Sequence, residues 1–227
     1  MSESSSSARL AAIAAVDDPA RRALFDFIAR SDHAVGRDEA AAAAGLARTT
    51  AAFHLDRLED AGLLSSEFAR LSGRSGPGAG RPSKLYRSAT SEVSVSIPQR
   101  HYDLMGDILA SAIEVADASG EAVRSSLTAA AHERGVRLGD EVGSFAGVLD
   151  VAGYEPEDAD DGTVTLTNCP FHRLAASHTA VICQANVALL EGAAEGAGDC
   201  QHDIRFDPSV GHCCVRLTPV DAQPLGE

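Results

Sequence analysis

The sequence predicts a chain of 227 residues in three successive parts: a mainly α N-terminal domain ending in a β-hairpin, a helical linker, and a small α+β C-terminal domain. Three observations lead there. Residues 47–64, ARTTAAFHLDRLEDAGLL, carry the apolar spacing of a short helix that stops at Gly62 and runs into a strand. A glycine-rich run over residues 73–82, GRSGPGAGRP, parts two β-prone stretches. All five cysteines fall between Cys169 and Cys214, where long helical periodicity has given way to short strand-like runs.

Taken in order, residues 1–15 open with a Ser-rich stretch that is expected to be a disordered head. Asp17, Asp18 and Pro19 start a helix, since an Asp caps free amides and Pro fits the first turn. Leu24, Phe27 and Ile28 form its apolar face, to about Arg30, and residues 31–36 are a turn. Asp38 and Glu39 open a second helix through the alanines to Ala44, their charge facing the positive helix end. Gly45 and Leu46 connect it to residues 48–61. In that third helix Ala51, Leu55 and Leu58 fall at i, i+4 and i+7 and make one buried stripe. Thr49, Phe53 and Arg57 line a different face, free to meet something outside the domain. Residues 63–71 and 84–88 are the two strands of a hairpin with the glycine-rich run at its tip. Three short helices and this hairpin make a winged helix-turn-helix pattern, assigned to residues 16–90.

Charge agrees with that assignment once its distribution is read. The formal net charge of −14 taken alone opposes a nucleic-acid partner. Residues 1–90, however, hold 12 Arg or Lys against 11 Asp or Glu, and the acidity belongs to the remainder. Between Phe68 and Arg87 lie Arg70, Arg74, Arg81, Lys84 and Arg87 with no acidic residue.

Through TTAAFHLDRLEDAGLL and GRPSKLYR, the N-terminal third resembles the winged helix-turn-helix domains of the ArsR and DeoR groups of bacterial transcription regulators. The resemblance implies that the helix over 48–61 is a recognition helix for the major groove of double-stranded operator DNA. Its DNA-binding candidates are Arg48, Thr49, Thr50, Phe53, His54 and Arg57, with Arg81, Lys84 and Arg87 on the wing. A protein-interaction module is the plainer alternative.

Residues 91–145 read as the linker. One helix is expected over 98–119, with Leu104, Ile108, Ala112 and Val115 in one stripe and Met105, Leu109 and Ala116 beside it. Gly120 breaks it, and a second runs over 121–141 with Val123, Leu127, Ala130 and Leu138 inward. Such faces suit a homodimer, although packing within the chain explains the same pattern. Residues 146–227 form the α+β sensor domain. Its expected elements are a hairpin from 151–154 and 163–167 across EPEDADDG, a helix over 173–195, and a second hairpin from 202–206 and 213–217.

Cys169 and His172 stand as C-x-x-H at a strand–helix junction, a spacing that lets two side chains converge on one metal. Cys183 lies on the following helix and Cys200 in the loop after it. Cys213 and Cys214 are adjacent on the last strand, where neighbours point to opposite faces, so one of the two is expected at any given site. Cys169, Cys183 and one of Cys213 or Cys214 could surround a centre, with His172 or Cys200 as a fourth ligand. Thiolates favour zinc, copper(I) or iron–sulfur clusters. The alternative is a set of small buried core residues without metal. His178, His202 and His212 are expected at the surface.

The order of winged helix, helical region and Cys-bearing unit is similar to the SufR-like regulators, which carry an iron–sulfur cluster and repress cluster-assembly genes. That similarity implies a repressor with ligands at Cys169, Cys183 and Cys213 or Cys214. A regulator with a structural zinc site and another signal stays open, as does a metal-dependent enzyme or redox protein with a helix-turn-helix docking domain. No catalytic residues are assigned: the deaminase P-C-x-x-C motif and the phosphate-binding G-x-x-x-x-G-K motif are both absent. No window approaches the ~20 apolar residues of a spanning helix, so no membrane partner and a cytoplasmic location are expected.

Overall fold

Asp18 accepts a hydrogen bond from the Arg21 amide at 3.0 Å, and Pro19 fills the first turn, so a helix begins where the sequence places it. The structure is a computed structural model, describing residues 2–69, 82–89, 92–208 and 211–220. It divides into two units, Met1–Val95 and Ser96–Glu227.

In the first unit α1 (Ser2–Ala15) precedes α2 (Pro19–Arg30), β1 (Val35–Gly36), α3 (Arg37–Ala44), α4 (Arg48–Asp60), β2 (Leu64–Ala69) and β3 (Ser83–Ser88). Gly45 closes α3 at φ 66°, its amide bonding back to Ala41 and Ala42, and this tight turn delivers the chain into α4. Ala51, Leu55 and Leu58 are buried against Leu24 and Ile28, as their spacing requires. Two expectations are corrected. The head is helical, with Ala12 buried in the core, because Leu10, Ala12 and Ile13 follow the serines and continue the turn. The turn over 31–36 contains a strand, β1, which pairs with β3 to make a three-stranded antiparallel sheet of order β1-β3-β2. Most of the glycine-rich tip, including Arg81, lies outside the described residues.

The second unit comprises α5 (Tyr102–Ser119), α6 (Val123–Val142), α7 (Phe145–Val151), β4 (Pro156–Asp158), β5 (Val164–Leu166), α8 (His172–Ser177), α9 (Thr179–Gly196), β6 (His202–Phe206) and β7 (Val215–Pro219). Its strands form one antiparallel sheet of order β4-β5-β7-β6. The chain is therefore of mixed α+β class. The helices of the expected linker share one core with the cysteine-bearing region, so no boundary falls near residue 145.

Several elements differ from expectation for local reasons. The buried stripe of α5 is Met105, Ile108, Ala112 and Ala116, which leaves Val115 exposed, and Val123 at the start of α6 is exposed as well. Residues 151–154 form no strand, because Ser144 caps a helix by accepting from the Gly147 amide, and Phe145, Val148 and Leu149 at i, i+3 and i+4 bury its face. The first strand of that hairpin instead falls within the acidic run, at β4. The helix expected over 173–195 is two helices, parted at His178 (φ −135°, ψ 45°).

Helices α6 and α9 carry the unit. Their contacts advance together, from Arg124 against Ala180 and Gln184 to Gly139 against Ala193 and Ala197, so the two helices run side by side in the same direction. The sequences Gly135-x-x-x-Gly139 and Gly192-x-x-x-Gly196 meet there. A Cβ on Gly135 would stand 2.0 Å from the Leu189 carbonyl oxygen, and one on Gly192 or Gly196 would stand 2.1 Å from that of His132 or Val136. Only glycine permits backbones this close. Among the described residues no helix is long and apolar enough to cross a membrane.

Gly192→Ala should therefore cost about 3 kcal/mol or more of unfolding free energy, since backbone cannot yield as a side chain does. Gly106→Ala, in α5 with nothing within 4 Å of its added Cβ, should stabilise by roughly 0.5–1 kcal/mol. Denaturant unfolding of the two variants tests the pair, and equal effects would refute the glycine crossing.

Candidate functional site

Helix α4 presents two chemically different faces. Arg48, Thr49, Thr50, Phe53 and Arg57 are exposed, and the Arg57 guanidinium lies 5.5 Å from the centre of the Phe53 ring. Phe53 is 56% exposed, a large apolar ring held in water on an otherwise polar face. Arg48 is ion-paired with Asp38 of α3. His54 is half-buried, packs edge-on against Phe53, and has a buried Nδ1 without a hydrogen-bond partner among the described residues.

The opposite edge of α4 is tied to the sheet. Asp56 Oδ1 accepts from Arg37 at 3.0 Å, from Lys84 at 3.1 Å and from the Tyr86 hydroxyl at 3.1 Å. Lys84 also pairs with Glu59, which accepts from Ser66 at 2.6 Å. Burial works against the Lys84 ammonium, yet the two carboxylates outweigh it and raise its pKa. Lys84 holds Glu59 below the usual carboxylate range, and the same ammonium lowers Asp56 against the effect of burial. Lys84 thus faces inward, in contrast to its expected place among wing cations facing phosphate. Arg87, three residues along the same strand, is exposed.

In the second unit four thiols meet. Cys169 lies between β5 and α8, Cys183 on α9, and Cys213 and Cys214 just before β7; all four are buried, at 8, 3, 2 and 8% exposure. Their ionisations influence one another, Cys169 with Cys213, Cys213 with Cys214 and Cys214 with Cys183, and the Asn186 Nδ2 lies 3.3 and 3.9 Å from the sulfurs of Cys213 and Cys214. Cys213 and Cys214 are both buried, and the Asn186 amide reaches both sulfurs. The alternation rule does not apply to them because they precede the regular strand. His172 and Cys200 are exposed and join no thiol, so C-x-x-H here makes a turn, with the His172 amide on the Cys169 carbonyl at 3.1 Å.

The backbone around the thiols is well fixed. The Cys213 amide donates to the Leu166 carbonyl at 2.7 Å. Asn168, buried, donates to the carbonyls of Gly153 and Gln99 at 2.5 and 3.1 Å and accepts from Arg100, which holds the segment leading to Cys169. Hydrogen bonding from Cys213 lowers the Cys169 thiol and brings Cys214 down to about 6, while burial pushes Cys183 up to about 12. Cys213, bonded to Cys169 and Cys214, is raised.

Among the described residues no three His, Cys, Asp or Glu side chains are already drawn up to hold a metal ion. Four of the cysteines are nevertheless buried in one core, and thiolates are soft donors of the kind that zinc and iron–sulfur clusters take. Two residues of this surrounding escaped the sequence reading, Tyr154 and Asn186, both buried. The signal for Asn186 was present: an amide one turn after Cys183, within an otherwise apolar helix face.

The three helices, the glycine turn and the exposed face of α4 agree with a comparison to known families. Residues 16–67 match a helix-turn-helix domain. The match covers α2 through the first residues of β2 and supports a DNA-binding regulator over an enzyme. No curated protein and no solved structure matches the chain.

Two substitutions in this helix-turn-helix domain should separate holding from contacting. Lys84→Met is expected to lower stability by roughly 1–2 kcal/mol, because Asp56 and Glu59 lose a charged donor while keeping part of their hydration. It should leave the slope of log K against log salt on duplex DNA unchanged. Arg57→Ala should leave stability unchanged and flatten that slope by about 1. Acid acts on the same tie: both carboxylates are depressed, so their contribution is full above about pH 4 and is lost as pH falls through their lowered folded values. Thermal melts of the wild type from pH 7 to 3 should show the loss, and Lys84→Met should diminish it.

Proposed function

We propose that the chain is a dimeric transcription regulator, acting as a repressor, whose helix-turn-helix unit binds operator DNA under the control of a metal or iron–sulfur centre held by Cys169, Cys183, Cys213 and Cys214. The burial of Cys169, Cys183, Cys213 and Cys214 in one core is the observation that carries the control part of this reading, and the match over residues 16–67 supports the DNA part. The exposed polar start of α4 suits base edges in the major groove, where Phe53 offers an apolar contact to a thymine methyl and Arg57 a bidentate donor to guanine. Exposed Arg87 on β3 supplies phosphate contacts that raise affinity more than sequence choice. Two copies would address half-sites about one DNA turn apart, and exposed Ile113, Val115 and Val123 give apolar surface for their pairing. The reading places the chain in the cytoplasm, with its DNA.

An iron–sulfur cluster would supply redox and oxygen sensitivity, and zinc would supply a closed tetrahedral tie. The chain's own contribution is to keep four soft donors buried in one core. Linkage then connects the two units: if DNA affinity differs between the loaded and empty chain, loading and DNA binding shift each other by the same factor.

Purification without oxygen, followed by metal analysis and a visible spectrum, tests the centre. Iron with sulfide and a brown colour supports the cluster, colourless protein with stoichiometric zinc supports zinc, and metal-free protein refutes both. Cys183→Ser should abolish loading and change affinity for operator duplex at least fivefold, whereas His172→Ala and Cys200→Ser should not. Unchanged metal content in Cys183→Ser would sink the assignment.

A further inference from the structure

A buried asparagine on a helix that otherwise packs apolar side chains needs an explanation. Asn186 is 1% exposed and follows Cys183 by one turn of α9. Its Nδ2 donates to Cys213 Sγ at 3.3 Å and lies 3.9 Å from Cys214 Sγ. Its Oδ1 accepts from the hydroxyl of Tyr154, itself 3% exposed. The amide thus has one end on a phenol and the other on two sulfurs.

We propose that Asn186 and Tyr154 are positioning residues for the thiol centre, with the Tyr154 hydroxyl fixing the Asn186 amide so that its N–H groups meet the sulfurs of Cys213 and Cys214. The role rests on the metal-centre reading above. Its physical basis is an asymmetry between protonation states. A neutral thiol is a weak acceptor that returns little for burying an amide. A thiolate is charged, and hydrogen bonds to charged groups are roughly twice as strong as neutral ones. The donor therefore favours the form of sulfur that binds a metal.

Tyr154 determines which end of the amide faces the sulfurs. Its hydroxyl donates to Oδ1 and so leaves Nδ2 for sulfur. Without that donor the amide could turn its carbonyl toward the thiolates, where oxygen and sulfur lone pairs repel. Outer hydrogen bonds of this kind commonly account for about 10–100-fold in metal affinity. A polar pair that merely fills the core would stabilise the fold and leave metal affinity unchanged.

The test uses the full chain without oxygen and Co²⁺ alone as probe, with affinity read by chelator competition and sulfur ligation by thiolate-to-cobalt charge-transfer absorption. Asn186→Asp keeps the shape and replaces the donor by an acceptor, and should weaken Co²⁺ binding by roughly 10–100-fold. Tyr154→Phe removes one oxygen and should weaken it by about tenfold, the lower end of that range, with a shifted charge-transfer band of unchanged thiolate count. Should the Asp variant fail to fold, Tyr154→Phe, checked by its metal-free melting curve, carries the test. A wild type that binds no Co²⁺ overturns the centre and this role together. A wild type that binds, with folded variants matching its affinity and spectrum, overturns the role alone.

Discussion

The close passage of α6 and α9 is the constraint on which the second unit depends. Four glycines admit backbone against backbone, and each would place a Cβ within 2.4 Å of a carbonyl oxygen if replaced by alanine. Packing of that kind has no slack, because a main chain cannot choose another rotamer. It sets the axial position of α9, and thereby where Cys183 and Asn186 lie beneath the segments that carry Cys169 and the Cys213–Cys214 pair. The apolar residues around them, Ile182, Leu189 and Leu190, are ordinary core and would tolerate volume-conserving exchange far better.

The first unit solves a similar problem with charge. Helix α4 must keep one edge fixed while the other stays free, and Asp56 and Glu59 provide the fixed edge by gathering Arg37, Lys84 and Tyr86. Two carboxylates and two cations nearly cancel, so the basic character left outward belongs to residues such as Arg57 and Arg87. A cation count along 68–87 overstates what is available to phosphate, because sequence does not reveal which way a strand side chain points. Lys84 and Arg87 are three apart on β3 and so fall on opposite faces.

Legibility followed periodicity and capping. Residues 48–60 were readable because Ala51, Leu55 and Leu58 mark a face and Gly62 ends it, and α2 because Asp18 and Pro19 are an unambiguous start. The strand over 202–206 was found at its observed limits. What escaped depended on partners distant in the chain. Val35 and Gly36 become a strand only because β3 lies beside them. In α5 two adjacent apolar stripes compete, and the buried line runs between them, taking Ile108 and Ala112 from one and Met105 and Ala116 from the other and leaving Val115 in water. For the thiols, spacing grouped Cys169 and Cys183 with the late pair, all four of which are buried, and it drew in His172 by a motif whose geometry is simply a turn. Strand alternation was applied to Cys213 and Cys214 one step too early, since regular pairing begins at Val215.

This placement also bears on where the thiols can yield. Cys183 rides on a helix locked by its glycines, whereas Cys169 lies between a strand and a helix and the Cys213–Cys214 pair in the connection from β6 to β7. Under the proposed centre, bringing the four sulfurs closer would displace the latter two segments more easily than α9. Both lead directly into the sheet, Cys169 from β5 and Cys214 into β7, and those strands are hydrogen-bonded to each other. The Leu166 carbonyl accepting from the Cys213 amide ties the two segments a second time. A movement of one would thus be a movement of both, since the β5–β7 pairing and this hydrogen bond join them.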